Sequence, residues 1–164
     1  MVLFGSWPKR ADSWANYGLT KNEIERAFTN IESHNPFEVG EGSWVHELSK
    51  VANRYDTQAR LHESAGRTTE AVAAYRGALL LNDIARFPVI TTQPRRDAYQ
   101  RMLSIYEHIQ ELTDSGIQVL KIPYKSGEVR GYLRLPEGVK NPPLVIYTGG
   151  LDTWKTSFDV VLDE

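Results

Sequence analysis

The residues most open to a chemical reading lie late in the chain, in the run Pro143-Leu144-Val145-Ile146-Tyr147-Thr148-Gly149-Gly150-Leu151-Asp152-Thr153-Trp154-Lys155. An apolar stretch passes straight into paired glycines and then into a polar helix start. Glycine carries no side chain, so backbone N–H groups there can turn toward a ligand unobstructed. The same pair suits a plain strand-ending turn, and the segment alone leaves both readings open. Other chemistry is thinly represented. His34, His46, His62 and His108 lie 12, 16 and 46 residues apart, without the short spacing typical of metal ligands, so no metal site is expected. Ser104 and His108 are four apart and could meet on one helical turn. A nucleophile and its base need a third orienting group and an oxyanion hole; neither is evident on that helix, and solvated polar residues are the simpler reading. Cysteine is absent, which removes a thiolate nucleophile, a disulfide framework and thiolate-bound zinc. No G-x-S-x-G, phosphate-binding loop, G-x-G-x-x-G or H-E-x-x-H occurs, and no cofactor is called for.

The elements that would position the glycine pair follow from periodicity. Residues 1–19 have no clear period and read as an irregular arm that packs by its aromatics, Phe4, Trp7, Trp14 and Tyr17. The stretch 20–114 reads as about four helices. Thr20 and Glu23 have capping-box spacing, and the first helix is expected to run to about His34, where Asn35-Pro36 disfavours more helix. A second helix fits 42–64, with Trp44, Leu48, Val51, Tyr55, Ala59 and His62 on one face and Gly66 in the stop role. A third starts near Thr68 and turns Ala71, Tyr75, Ala78, Leu79 and Asn82 inward. After Pro88, Pro94 suits the start of a fourth, with Tyr99, Met102, Leu103, Tyr106 and Ile109 on its face.

Past Gly116 the period changes. Residues 117–135 read as a β-hairpin turning at Lys125-Ser126-Gly127-Glu128, with Val129, Gly131, Leu133 and Leu135 on a buried face of the second strand. Leu144-Val145-Ile146-Tyr147 is continuously apolar, the mark of a strand covered on both faces. Asp152 suits the cap of a following helix. A doubly covered strand needs neighbours on both edges, which the hairpin supplies on one edge at most. The expectation is therefore the front portion of a larger fold, completed by a further segment or a companion chain.

The net charge is -2, from 19 basic and 21 acidic residues. Neither the part up to Asp114 nor the rest is basic, which argues against nucleic acid as the main partner. No apolar run approaches the roughly 18 residues of a membrane span. The expected setting is the cytoplasm, which the lack of cysteine suits.

Taken in order, these segments resemble one branch of the α/β-hydrolases. That branch includes 2,6-dihydroxypseudooxynicotine hydrolase, the fermentation-respiration switch esterase-like proteins and the fungal pigment-pathway hydrolases that shorten polyketide chains. The resemblance rests on Val119-Leu120-Lys121-Ile122-Pro123-Tyr124, on Val129 through Pro136, and on Pro143 through Lys155. It spans roughly 42–164 and is strongest over 117–155. Thr156-Ser157 departs from it, standing where many relatives carry an acidic pair. The fold implied is α/β: a helical N-terminal cap over 20–114, then over 115–164 the first strands of the hydrolase sheet. The chemistry implied is serine-dependent cleavage of an ester, or of a C–C bond next to a carbonyl, in a small-molecule substrate. Gly150 and Leu151 become candidates for an oxyanion-hole donor, while Gly149, Asp152 and Lys155 support the loop. No residue of a catalytic triad falls within these 164 residues. The aromatic cap hints at an aromatic or polyketide-like substrate, and a homo-oligomer stays open. Three alternatives stand beside this reading: a helical interaction module without catalysis, an inactive hydrolase-like regulator, and an enzyme split near residue 164 whose two pieces stay together.

Overall fold

The computed structural model describes residues 14, 17–33, 35 and 37–147. They fall into two compact units that divide between Tyr106 and Glu107. Helix α1 spans Lys21–Ala27, α2 Trp44–Ser64, α3 Thr68–Ala85 and α4 Gln93–Leu112; strands β1 and β2 span Gln118–Tyr124 and Gly127–Leu133.

The capping box at the head of α1 is complete. The Glu23 amide donates to Thr20 Oγ1 at 3.3 Å, and Glu23 Oε2 accepts from the Thr20 amide at 2.8 Å. The helix stops at Ala27, one turn and more before the expected His34. Thr29 and Asn30 are weak helix formers, and the amides of Thr29 and Ile31 reach back only three residues, to Arg26 and Phe28. The chain is then drawn sideways, because the Glu32 and Ser33 amides both donate to the Gly42 carbonyl, at 2.9 and 3.1 Å.

Glu23 also accepts from the Thr20 hydroxyl at 2.6 Å and the Tyr55 hydroxyl at 2.9 Å. The Thr20 bonds, side chain first and backbone second, hold its carboxyl below the usual 4.5, and Tyr55 adds to them against an opposing cost of burial. Such a group stabilises the fold above its unfolded pKa, and that share is lost as pH falls through the folded pKa. We therefore expect an NMR titration of Glu23 with its midpoint below 4.5, moved upward by Thr20→Val. An unmoved midpoint would remove the capping box as its cause. Thr20→Ala should cost about 1 kcal/mol.

Helix α2 starts at Ser43, whose hydroxyl accepts from the His46 amide. It ends in a glycine cap: Gly66 takes φ +70°, and the Arg67 amide closes back on the His62 carbonyl at 3.0 Å. Trp44, Leu48 and Ala59 are buried on the expected face, with Val51 and Tyr55 partly covered. Helix α3 packs along α2 and is enclosed on most of its circumference. The expected face holds for Ala71, Tyr75, Ala78 and Asn82 but not for Leu79, which is half-buried, while Leu80, Leu81 and Ile84 are buried. Small residues explain the difference, since they let neighbours approach on more than one side. A Cβ at Gly77 would sit 2.9 Å from Leu19 Cδ2 and 3.0 Å from Tyr55 Cδ1.

The core of this unit joins Leu19, Ile24, Trp44, Leu48, Leu81, Ile84 and Ala98. The described part of the aromatic arm joins it too. Trp14 stacks on Phe28 at 6.0 Å between ring centroids, and Phe28 tilts against Trp44 at 5.1 Å. Phe4 and Trp7 lie outside the described residues. On α4, Met102, Leu103, Tyr106 and Ile109 are buried as expected, and Tyr99 is half-buried.

In the second unit β1 and β2 pair antiparallel, with Val119 opposite Tyr132, Leu120 opposite Gly131 and Ile122 opposite Val129. Opposed residues share a face. Val119, Lys121, Arg130 and Tyr132 form one face. Its Arg130 Nη1 and Tyr132 hydroxyl donate to Glu107 Oε1 at 3.0 and 3.2 Å. Leu120, Ile122, Tyr124 and Val129 form the other and are exposed. The sequence placed Val129 and Leu135 on a buried face; both are exposed, and the anchored face is the polar one. An ion pair and a hydroxyl bond to Glu107 hold that face, whereas the apolar one has no described element against it.

Candidate functional site

Gly149, Gly150, Leu151, Asp152 and Lys155, the residues singled out for oxyanion binding and loop support, lie outside the described residues. The approach to them is described. Leu144 to Tyr147 belongs to no sheet, and these four side chains are 60–80% exposed. The expected doubly covered strand is thus absent from the described structure. A strand is defined by its neighbour, and among the described residues the hairpin's two strands pair only with each other. Two apolar surfaces therefore stand open in the second unit: this run, and the hairpin face of Leu120, Ile122, Tyr124 and Val129.

The helical unit carries polar groups, of which periodicity placed Asn82 and Tyr75 inward but did not single out Ser49, Arg95 or Arg101. Arg101 Nε donates to Asn82 Oδ1 and its Nη2 to Ser49 Oγ, both at 3.1 Å. Asn82 is itself buried, and its Nδ2 donates to the Ala78 carbonyl at 2.9 Å. This network links α2, α3 and α4. The Tyr75 hydroxyl donates to Glu63 Oε2 at 2.6 Å. Burial and then that carboxylate push its pKa up to about 12, so it is a neutral structural donor at physiological pH. Ser104 is exposed, in keeping with a solvated polar residue. Arg95 is fully buried near the start of α4. The signal for it was legible: Arg95, Ala98, Met102, Tyr106 and Ile109 follow helical spacing, so a cation occupies the first place of an apolar stripe. Among the described residues no three potential ligands cluster to hold a metal ion, and no helix is long and apolar enough to cross a membrane.

The chain aligns with the solved structure of 2,6-dihydroxy-pseudo-oxynicotine hydrolase at a TM-score of 0.54 and 19% identity. The alignment covers 81% of this chain and 34% of that one. The chain thus has the fold of part of an α/β-hydrolase, a helical region followed by the first strands. The structure of wild-type AbyA5 aligns at a TM-score of 0.45 and 18% identity, over 76% of this chain and 31% of that one. In sequence, the chain is 22% identical over 160 residues to Esterase FrsA of Photobacterium profundum, covering 88% of this chain and 37% of that protein. The chain spans about a third of the length of these relatives. The pattern of the family described as "Esterase FrsA-like" matches residues 36–163. The chain belongs to that family.

Proposed function

We propose that this chain is the front part of a serine-dependent α/β-hydrolase that cleaves an ester, or a C–C bond next to a carbonyl. In this reading the four helices α1 to α4 belong to a cap over the pocket, and Gly149-Gly150-Leu151 forms one wall of the oxyanion hole. A carbonyl oxygen gains negative charge when the nucleophile attacks. Backbone N–H groups fixed in place before the reaction stabilise that charge without reorganising. Gly150 and Leu151 would offer those donors, with Gly149, Asp152 and Lys155 holding the loop and the helix start. The observation that carries the reading is the family match over 36–163, which takes in α2, α3, α4 and the Gly-Gly segment together.

The nucleophile, acid and histidine are placed outside residues 1–164, within which no G-x-S-x-G occurs. The exposed hairpin face and Leu144–Tyr147 would then be covered by the remainder of the hydrolase domain. Covering them removes apolar area from water at roughly 25 cal/mol per Å². An aromatic or polyketide-like substrate agrees with the ring-rich helical region. The absence of cysteine suits a cytoplasmic enzyme.

A fluorophosphonate probe on the full-length protein tests the reading. It should label one serine beyond residue 164 and abolish hydrolysis of a p-nitrophenyl ester. Ester turnover that survives complete labelling would exclude a serine nucleophile. A labelled serine within the chain, such as Ser104, would refute its placement.

A further inference from the structure

Arg95 is the third residue of α4, and its side chain is fully buried, with 0% exposed. Its Nε donates to the Phe87 carbonyl at 3.1 Å, which holds the guanidinium against the loop leading into the helix. Its Cζ lies 5.8 Å from the centroid of the Phe37 ring. Phe37 is 54% exposed, so its ring forms a thin outer wall over a buried cation. Arg95 Nη1 and Nη2 are closed off from solvent and have no hydrogen-bond partner among the described residues. The hydroxyl of Thr92, one turn earlier, is in the same condition. The Arg96 amide donates to the Thr92 carbonyl at 3.0 Å, which puts Thr92 at the cap position of α4.

No described acid answers this charge. Asp97 accepts instead from Gln93 Nε2 at 2.7 Å, and Asp83 pairs with Arg86. Desolvation alone acts on the Arg95 pKa, lowering it. Arginine does not escape by losing its proton, since it stays charged in proteins. A buried charge without a partner is strongly destabilising, and its usual remedy is a matched counter-ion. The two Nη groups of a guanidinium form a flat fork that fits the two oxygens of a carboxylate. The positive end of a 20-residue helix adds to the attraction. With one cation beneath an apolar ring, the site suits a singly charged planar anion better than a multiply charged tetrahedral one.

We propose that Arg95, with the Thr92 hydroxyl, forms a closed carboxylate-binding site at the head of α4, entered by displacing the Phe37 ring. Its occupant is a small organic acid, or an Asp or Glu side chain of the polypeptide presented the same way. The proposal does not depend on the hydrolase reading.

The test uses the full-length protein with Arg95→Met and Arg95→Lys, melted with increasing benzoate at constant ionic strength and with benzamide as the neutral control. A saturable rise of about 1–3 °C with benzoate, absent with benzamide and lost in Arg95→Met, supports the site and names a free acid as occupant. If benzoate has no effect, but Arg95→Met lowers the melting temperature and Arg95→Lys recovers more than half of the loss, the site is supported and a side-chain carboxylate fills it. Met keeps the apolar stem and removes the charge together with the Nε bond to the Phe87 carbonyl. Without a benzoate effect, an Arg95→Met protein as stable as the wild type, or a loss that Arg95→Lys does not recover, would overturn the proposal.

Discussion

Gly150→Val in the full-length protein should, on the proposed oxyanion-hole role of this loop, lower turnover about a hundredfold to a thousandfold while moving the melting temperature by only a few degrees, because that is the usual cost of losing one oxyanion donor. The size of the effect follows from geometry. The donor N–H must sit about 3 Å from the oxygen as it takes on charge, not from the ground-state carbonyl. If Gly150 is such a donor, a β-branched side chain there would tilt the peptide on either side of it and crowd the acyl carbon. A structural glycine gives the opposite balance. Where a turn requires positive φ, replacing glycine strains the fold, and activity falls only as folded protein is lost. Turnover per folded molecule, measured beside the melting temperature, separates the two. Near-normal turnover with a large drop in melting temperature would reduce Gly150 to a turn residue and break the link between this loop and catalysis.

Helix positions were legible in the sequence because their signals are local. Thr20 and Glu23 satisfy each other within one turn, and Gly66 stops α2 through bonds to residues at most five back. The end of α1 was not legible, because a distant carbonyl on Gly42 takes the amides that more helix would have used. Burial on α3 was blurred for a related reason. A helix built from Ala71, Ala74, Gly77 and Ala78 leaves no single apolar stripe, and the neighbours decide which sides are covered. In the hairpin the turn was readable, but the covered face was not. Alternation marks Val129 and Leu133 as one face, yet what covers a face belongs to tertiary structure. Leu144–Tyr147 is the sharpest case. Its apolar pattern states a demand for cover on both faces, and no described element meets it. Residue order singled out Gly149-Gly150, which lie outside the described residues, while Arg95 escaped notice because a charge in an apolar stripe breaks the pattern being counted.

Trp44→Ala should be among the most destabilising single changes in the helical unit, at about 3–5 kcal/mol in chemical denaturation. Trp44 opens α2 and is almost wholly buried. Its ring packs on Phe28, which in turn stacks on Trp14, so a cavity there loosens the start of α2, the turn after α1 and the aromatic arm together. Its indole Nε1 donates to the Ile84 carbonyl at 2.8 Å. That carbonyl lies in the last turn of α3, where helix carbonyls lack partners within the helix. The Phe87 amide also donates to it, at 3.1 Å, so losing the indole leaves it with one donor rather than none. Trp44→Phe keeps most of the ring and removes only the indole bond. Its cost should therefore be that of an ordinary hydrogen bond, about 1 kcal/mol, beyond the smaller ring's lost contacts. The ratio of the two losses assigns the role of the side chain. A Phe variant nearly as unstable as the Ala variant would mean that the α2–α3 hydrogen bond, rather than the packing of the ring, holds this corner of the core. A loss of less than about 1 kcal/mol for Trp44→Ala would mean that the arm and α2 repack without it, and that the core of the unit is centred instead on Leu81 and Ile84.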